Sequence, residues 1–494
     1  MSDKKPDSRP NVLLITTDHW SGRLLGIADH PCILTPTLDQ IARNGVRFTN
    51  AYTECPVCIP ARRTLMTGTL SATHGDNSNR DTDIRTLGLR WLPECFRDAG
   101  YQTGAVGKLH IYPQRMRIGF GDVLLMEEGR CQFGVTDDYE IFLSDKGYAG
   151  QMFENGMSNN DYVWRPWQLP EETHSTNWIA KQTSRMIQRR EPGKPAFWYM
   201  AFNHPHPPLW PLNDYLDMYP ESEMDEPFVA DWAKDPDSLP RPLQTRRYGN
   251  PVVSPDQTRA IRLARRAFYA LCTHIDHQIR YVLGTLREEG LADNTIVMFT
   301  ADHGDNLGNH QFWGKCNFHD YSANIPMLLS APKNERVGQL RTDERVVGLA
   351  DVMPTLLEMC GIPVPNAVEG LSMIGDTKRD CVYGEYGNSP GDACRMIRTE
   401  RWKLIYYPAG NRTQLFDMVD DRAEMSNVAD LPQNASVVAE LTAQLIKSFS
   451  KTDGEKYVSN GILRGVPDER FSPRADYRLQ SQRGSHYPPP KAVW

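Results

Sequence analysis

The chain has 494 residues, of which 40% are hydrophobic and 24% charged, which suits one large folded domain plus a smaller one. Its net charge is −7 and its Lys and Arg residues are dispersed among acids, so we expect no nucleic-acid partner. No stretch approaches the ~20 apolar residues of a membrane span, and the apolar run 12–15 is shorter than the ~7–15 residues of a signal-peptide core. We therefore expect a cytoplasmic protein with no membrane partner. The ten cysteines lack a disulfide-like pattern and favour reduced thiols.

Strand and helix patterns alternate along the first 300 residues. In chain order the sequence predicts a strand at 11–16, helices at 37–44 and 91–99, strands at 101–106 and 196–202, a long helix at 257–289 and a strand at 295–300. Continuously apolar strands are buried on both faces, and helical connections make neighbouring strands parallel. The sequence therefore predicts an α/β fold in which a large, mainly parallel sheet is sandwiched by helices.

Four of these strands are followed by polar side chains. These are Asp18, Lys108, His206 and Asp302. Ligands of parallel sheets bind beyond the carboxyl ends of the strands, so the four side chains mark a candidate site. Each also has an ordinary interpretation: the two aspartates as helix N-caps, the lysine as a solvated surface residue and the histidine as a loop residue.

Cys58 opens the pentapeptide C-I-P-A-R, which is followed by T-L-M-T-G at 64–68. Together with Cys55 it also forms a C-x-x-C, which is typical of a redox pair or half a zinc site. A second C-x-x-C and an H-x3–5-H at zinc-finger distance are both missing from the sequence, which weakens the zinc interpretation. A buried, inert cysteine is the remaining alternative.

Taken in order, these motifs resemble those of the type I, formylglycine-dependent sulfatases of the alkaline phosphatase superfamily. The resemblance covers residues 11–430: the strand 11–18, the signature 58–68, G-Y-x-T and G-K-x-H at 100–110, the strand with P-H-P-P at 197–208, D-H-G-D at 302–305 through Lys315, and the segments 349–357 and 398–417. Arylsulfatases, choline sulfatases and phosphonate monoester hydrolases are the members it comes near.

The resemblance implies a domain organisation. Residues 1–375 would form the catalytic α/β domain, and 376–450 a smaller C-terminal α+β subdomain with a small antiparallel sheet and a helix. Val437, Leu441, Leu445 and Phe449 recur at helical spacing and should pack that helix onto the subdomain. Residues 451–494, rich in Arg and Pro, would be an extended arm without helical periodicity, either disordered or docked on a neighbouring subunit of a homo-oligomer.

The resemblance also implies a site, residue by residue. One divalent metal would be held by Asp18, Asp302, His303 and the oxidised Cys58, with His19 as a possible fifth ligand. A formylglycine-generating enzyme would convert Cys58 to formylglycine. The remaining roles are Arg62 pinning the formylglycine, Lys108 and Lys315 binding the ester oxygens, Asn79 or Asn77 adding a hydrogen bond, His206 protonating the leaving oxygen and His110 acting as base.

Two departures from the family pattern bear on the metal. Many sulfatases have Asp-Asp where this chain has Asp18-His19, and others have Asn where it has His303. Calcium is expected first because of the family, but calcium prefers oxygen ligands, so these imidazoles favour manganese as the alternative.

The implied activity is hydrolysis of a small-molecule sulfate monoester. A phosphonate monoester or phosphodiester hydrolase of the same superfamily is the alternative, although Lys108 and His110 favour a sulfatase. Two other classes remain: a phosphoryl-transfer enzyme, which needs a second metal, and a redox protein that pairs Cys55 with Cys58. Residues 111–180 and 207–255 are long irregular stretches that should form the substrate-binding loops.

Overall fold

The computed structural model describes residues 9–80, 82–129, 135–157, 162–249, 258–332, 334, 336–338, 340–389 and 391–468. The strands are β1 Asn11–Thr17, β2 Val46–Tyr52, β3 Gln102–Gly107, β4 Asp122–Leu125, β5 Ala196–Ala201, β6 Thr295–Ala301, β7 Met327–Ser330, β8 Arg341–Gly348, β9 Val382–Tyr386, β10 Cys394–Arg398, β11 Trp402–Tyr407, β12 Arg412–Asp417, β13 Val458–Ser459 and β14 Ile462–Leu463. The helices are α1 Pro36–Arg43, α2 Cys58–Thr67, α3 Ser71–His74, α4 Leu92–Asp98, α5 Asp138–Asp145, α6 Ser175–Gln188, α7 Asn213–Asp217, α8 Asp231–Lys234, α9 Arg241–Gly249, α10 Thr258–Glu288, α11 Asp320–Ala323, α12 Val352–Met359, α13 Ala435–Ser448 and α14 Lys451–Tyr457.

The main sheet has eight strands in the order β4-β3-β5-β1-β6-β7-β2-β8. Its pairs are parallel except where β7 meets β6 and β2. The three central strands β5, β1 and β6 are buried at every position. Burial on both faces selects continuous apolar runs, which is why the sequence predicted these strands. The expected large, mainly parallel sheet is confirmed.

Helices cover both faces of this sheet. The long helix α10 packs against α1, α6 and α7, whereas α2 packs against α4 and α12, and β3 is contacted by both α4 and α6. The core is continuous through the sheet and both helical layers. This arrangement leaves the carboxyl ends of the central strands as the place where loops meet. Among the described residues, no helix combines the length and apolar character needed to cross a membrane.

The smaller C-terminal unit is a four-stranded antiparallel sheet in the order β12-β11-β10-β9. Helix α13 packs on β10 and β11, and Leu441 and Leu445 are buried beneath it. Val437 and Phe449 lie partly buried on the same cluster, so the expected packing of this helix is confirmed. The limits of the predicted domains at 375 and 450 stay predictions.

The segment after Ser450 differs from the expectation of an arm without regular structure. Lys451–Tyr457 is helical and continues into the short hairpin β13–β14. Arg395 of β10 forms a buried ion pair with Asp453, at 2.5 Å, and Tyr457 is buried. These contacts, rather than a helical period in the sequence, order the segment. Residues 469–494 of the predicted arm lie outside the described part of the chain.

A buried ionic cluster joins the small sheet to the main domain. Lys403 of β11 contacts Asp320 and Glu424, each at 2.6 Å, and both its side chain and theirs are almost fully buried. Arg23, on the loop after β1, pairs with the same Asp320. These ion pairs therefore hold the small sheet close to the loop that follows β1.

Candidate active site

The strand ends that the sequence singled out lie side by side. The last residues of β3, β5, β1 and β6 are in register with one another across the sheet. Asp18, Lys108 and Asp302 directly follow β1, β3 and β6, and His206 follows β5 after a short loop. All four side chains are buried. The structure thus brings these residues to one point at the carboxyl edge of the sheet.

Helix α2 brings Cys58 to the same point. Cys58 is the first residue of the helix, which is buried along its whole length, and its Sγ lies 3.7 Å from Asp18 Oδ1 and 3.4 Å from His303 Nε2. The N-terminus of a helix favours negative charge, because its first N–H groups have no partner within the helix. An anion bound against residue 58 would meet this end of α2.

Four side chains are arranged as cation ligands. Ligand atoms of Asp18, Cys58, Asp302 and His303 all lie within 4.8 Å of one another. His303 donates its Nδ1–H to the carbonyl of Gly304 at 3.0 Å, which leaves the Nε2 lone pair facing Asp18 Oδ1 at 3.4 Å. Two carboxylates, an imidazole nitrogen and the residue-58 atom, all buried, form a donor set that fits a divalent cation.

Arg62 ties these carboxylates together. Its Nε donates to Asp302 at 3.0 Å, its Nη2 to Asp18 at 3.4 Å and its Nη1 to the carbonyl of Lys108 at 2.9 Å. The expected role of Arg62 in pinning the formylglycine stays a prediction. In the structure Arg62 orients the two aspartates, and it lies about one helical turn from Cys58 on α2.

Two lysines supply positive charge. Lys108 Nζ lies 2.5 Å from Asp18 and 2.7 Å from Glu128, and Lys315 Nζ lies 2.7 Å from Cys58 Sγ. Burial alone would raise the pKa of Asp18, but the charges of Lys108 and Lys315 outweigh it and hold that pKa well below its usual value. Asp18 is therefore ionised at neutral pH.

His19 falls in a second group of ligand-type side chains, with Asp18 and His206. Its Nε2 lies 3.6 Å from Asp18 Oδ1, and its ring lies against those of His206 and His303, with centroid distances of 4.4 and 4.7 Å. Burial lowers the pKa of His19 to about 3, so the ring is neutral and keeps a lone pair. The Nε2 atom is buried without a hydrogen-bond partner in the described structure, which suits a nitrogen that would bind a cation.

The two histidines with expected proton-transfer roles are both buried. His206 donates its Nδ1–H to the carbonyl of Pro207 at 2.5 Å, which leaves Nε2 as its reacting end. Burial lowers the pKa of His206 well below its usual value, and the Glu128 carboxylate, 3.8 Å away, opposes that shift. The backbone of His110 is in the left-handed region, at φ 54°, and its N–H donates to Glu127 at 2.9 Å.

Asn79 lies beside the first turn of α2. Its side-chain oxygen accepts the backbone N–H of Ile59 at 3.2 Å, so it holds the first turn of the helix next to Cys58. Asn77 accepts the backbone N–H of Gly387, on the turn after β9, through its own carbonyl. The geometry therefore favours Asn79 over Asn77 as the residue near the site.

Sequence reasoning missed three residues: Glu128, Asp305 and Tyr162. Glu128 follows β4, a short and half-exposed strand with a weak sequence pattern. Asp305 belongs to the D-H-G-D motif and receives hydrogen bonds from His19 and Tyr162. Tyr162 comes from the irregular stretch 111–180, so at least one of the expected binding loops reaches the site. Of these, only Asp305 carried a usable signal, because its motif was recognised.

The C-x-x-C interpretation does not fit the structure. Cys55 and Cys58 are both free cysteines. Cys55 packs in an apolar cluster with Val57 and Phe318, whereas Cys58 lies among the cation-ligand side chains. Burial and the charge of Asp18 raise the pKa of the Cys58 thiol, whereas a reactive or redox-active cysteine needs a lowered pKa. As a thiol, Cys58 is a poor nucleophile in this pocket.

Comparisons with known proteins identify the family. The sulfatase family model matches residues 10–362, and a model of the C-terminal region of N-sulphoglucosamine sulphohydrolase matches residues 308–451. An arylsulfatase of Clostridium perfringens is 33% identical over 483 residues, covering 93% of this chain and 98% of the relative. A choline-sulfatase of Rhizobium meliloti is 28% identical over 463 residues, covering 88% and 85%.

The solved structures agree on the fold. The phosphonate monoester hydrolase of Agrobacterium radiobacter superposes with a TM-score of 0.76 at 23% identity, covering 89% of this chain and 95% of the other. The chain thus has the same fold as this hydrolase. The family model and the arylsulfatase relative show that the chain belongs to the sulfatase family.

Proposed function

We propose that the protein hydrolyses small-molecule sulfate monoesters and that its nucleophile is a formylglycine made from Cys58. The observation that carries this proposal is the position of Cys58. It begins a buried helix, contacts Asp18, His303 and Lys315, and has a thiol whose pKa is raised rather than lowered. An aldehyde at this position, once hydrated, supplies a hydroxyl nucleophile and a second hydroxyl that later helps to release the bound group.

The ligands for a divalent cation would be Asp18, Asp302, His303, residue 58 and His19. A cation there supplies charge that lowers the pKa of the residue-58 hydroxyl. The oxygens of the two aspartates suit calcium, the usual ion of the family, whereas the nitrogens of His19 and His303 suit manganese. We propose one ion per chain.

Lys108 and Lys315 would bind the sulfate oxygens. Negative charge accumulates on these oxygens and on the leaving oxygen during transfer, so fixed positive charge in a water-poor pocket stabilises the transition state. Both ammonium groups already contact the negative or polar atoms around residue 58. Asn79 Oδ1 accepts the Ile59 N–H at the same end of α2, and the side-chain NH₂ of Asn79 would donate the hydrogen bond to the ester oxygens.

His206 would donate a proton to the leaving oxygen. Its Nδ1–H is fixed on Pro207, so Nε2 is the end that can face the substrate. Burial holds the pKa of His206 well below its usual value despite Glu128, so the acid role requires the negative charge of the bound ester to raise that pKa. His110 would act as the base that helps the hydrated residue 58 release sulfate.

The decisive experiment measures residue 58 and turnover together. The protein is produced with and without a formylglycine-generating enzyme, and the tryptic peptide that contains residue 58 is analysed by mass spectrometry. We expect conversion of thiol to aldehyde, and hydrolysis of 4-nitrophenyl sulfate in proportion to the converted fraction. Turnover by protein whose residue 58 is wholly thiol would contradict the proposal.

A phosphonate monoester hydrolase is the second candidate, because the fold superposes on such an enzyme. A phosphonate monoester and a sulfate monoester both carry one negative charge on a tetrahedral centre, so Lys108 and Lys315 cannot separate them by charge alone. The ratio of kcat/KM for 4-nitrophenyl sulfate to that for 4-nitrophenyl phenylphosphonate decides between them. A ratio above one supports the sulfatase, and a ratio below one supports the alternative.

We further propose a homo-oligomer to whose assembly the predicted arm, residues 451–494, contributes. The first part of the predicted arm, through Tyr457, is packed within its own chain, so a cut after Ser450 would damage the small sheet. Truncation after Asp468 avoids that damage. We expect the truncated protein to sediment as smaller species. An oligomer with an unchanged number of subunits would contradict this arrangement.

A further inference from the structure

Asp305, the last residue of the D-H-G-D motif, is held by four donors. Its Oδ1 accepts the backbone N–H groups of Leu307 and Gly314, each at 2.9 Å. Its Oδ2 accepts the Nδ1–H of His19 at 2.6 Å and the hydroxyl of Tyr162. The side chain is fully buried. Four donors occupy the lone-pair sites of the Asp305 carboxylate, so Asp305 has none left to bind a cation itself.

The consequence for His19 is a fixed tautomer. An ionised carboxylate only accepts hydrogen bonds, so the proton of the neutral ring lies on Nδ1 and the lone pair lies on Nε2. That lone pair is 3.6 Å from Asp18 Oδ1, the oxygen that His303 Nε2 approaches to 3.4 Å. Two imidazole nitrogens therefore converge on one carboxylate oxygen.

The backbone of His19 is adapted to this orientation. Its φ is 66°, in the left-handed region that costs a residue other than glycine free energy. His303 obtains the same tautomer from a backbone carbonyl, that of Gly304, which no substitution removes. His19 obtains its tautomer from side chains, so a mutation of those side chains can change which ring nitrogen carries the proton.

We propose that Asp305 and Tyr162 are positioning residues for the cation: they fix the Nδ1–H tautomer of His19, make its Nε2 a ligand, and bias the site toward an ion that accepts nitrogen, such as Mn²⁺, over Ca²⁺. This inference rests on the proposed function, which supplies the cation. Tyr162 comes from a stretch predicted to bind substrate, and its ring packs at a tilt against that of Trp313, with centroids 4.9 Å apart. Through Tyr162, the predicted substrate-binding stretch 111–180 is thereby linked to the proposed metal ligand His19.

Asp305→Asn tests the tautomer directly. Leu307 and Gly314 N–H require the amide oxygen on their side, which turns the amide NH₂ toward His19. A donor there forces Nδ1 to accept and moves the proton to Nε2, so the ring no longer offers a lone pair to the cation. The shape of the side chain is unchanged. Tyr162→Phe is the milder variant, because it removes one hydrogen bond to Asp305 and keeps the carboxylate.

The experiment measures the dissociation constants of Mn²⁺ and Ca²⁺ for the full-length protein, from free-ion EPR for Mn²⁺ and calorimetry for Ca²⁺. We expect Mn²⁺ binding to weaken roughly 10- to 100-fold in Asp305→Asn and by less in Tyr162→Phe. We expect a smaller change for Ca²⁺ in both variants. Electron spin-echo spectra of bound Mn²⁺ should show two coordinated ¹⁴N nuclei in the parent and one in Asp305→Asn.

A double-mutant cycle separates positioning from general damage. In a His19→Asn background the ligand has no tautomer to set, so adding Asp305→Asn should leave Mn²⁺ affinity unchanged within about twofold. An equal loss in both backgrounds overturns the inference, as do two bound ions per chain or one nitrogen in the parent. If Asp305→Asn fails to fold, the test rests on Tyr162→Phe and the parent. Mn²⁺ affinity and a nitrogen count that are unchanged in Tyr162→Phe, together with one coordinated ¹⁴N in the parent, then overturn the inference.

The proposed function fails separately. A parent that binds Mn²⁺ through two nitrogens but hydrolyses no sulfate ester refutes the function and keeps the positioning role. A parent that hydrolyses sulfate esters while Asp305→Asn binds Mn²⁺ with parental affinity keeps the function and refutes the positioning role.

Discussion

Replacing His206 with Ala tests most directly whether this residue is the general acid of the site. His206 is 1% exposed, lies edge-on to His19 and has only Nε2 available for the substrate. If that nitrogen protonates the leaving oxygen, its loss removes general acid catalysis, which is worth about 10²- to 10⁴-fold in rate, or about 3–5 kcal/mol of barrier. Leaving groups that depart as stable anions need no proton and should lose far less.

The assay is kcat/KM across a series of sulfate esters, from 4-nitrophenyl through unsubstituted phenyl to alkyl. We expect a loss of under about tenfold for the nitrophenyl ester and about 10²- to 10⁴-fold for the poorest leaving group, so that the dependence on leaving-group pKa steepens. His277→Ala is the matched control, since this half-buried histidine on α10 contacts Tyr215 away from the strand ends. Equal losses for every ester would refute the acid role of His206.

Three other substitutions have defined outcomes. Cys58→Ala should lower turnover at least about 10³-fold while changing the free energy of unfolding by only about 1 kcal/mol, because it deletes a nucleophile and little volume; urea unfolding and turnover of the same sample check this. Glu54 is buried and burial raises its pKa to about 7, whereas the unfolded chain releases that proton near its ordinary value of 4.5, so the folded state binds more protons between these pH values and loses stability as the pH rises. Glu54→Gln should remove about 3 kcal/mol of that loss between pH 4.5 and 7, and parallel stability curves for the two proteins would contradict this. Lys403→Met leaves the buried carboxylate of Glu424 without its cation, while Asp320 keeps Arg23, and it should cost about 3–5 kcal/mol in urea unfolding, against no measurable change for the exposed Lys447→Met.

The sequence predicted the parts of the fold that local pattern determines. The central strands β1, β5 and β6 are continuous apolar runs because both faces are buried, and their ends could be read as a site before any contact was known. The antiparallel direction of β7 could not be predicted, because it depends on how a short strand of four residues fits between β6 and β2.

The site was predictable where a motif carried it and hidden where contacts cross the chain. Tyr162, Asp305 and His19 meet although they are far apart in the sequence, and no spacing rule relates them. Helix α14 was missed for a similar reason: its sequence contains Gly454 and lacks an apolar period, and it is ordered by Asp453 pairing with Arg395. Tertiary contacts override weak local propensity in such segments.

The burial of α2 bears on when Cys58 could be modified. Cys58 is 1% exposed, and every residue of its helix is buried. A second enzyme cannot place its own active site on a thiol so enclosed. The proposed oxidation of Cys58 would therefore precede the packing of α2, and a chain that folded first would keep an inert thiol. The yield of active protein would then depend on the relative rates of folding and of modification.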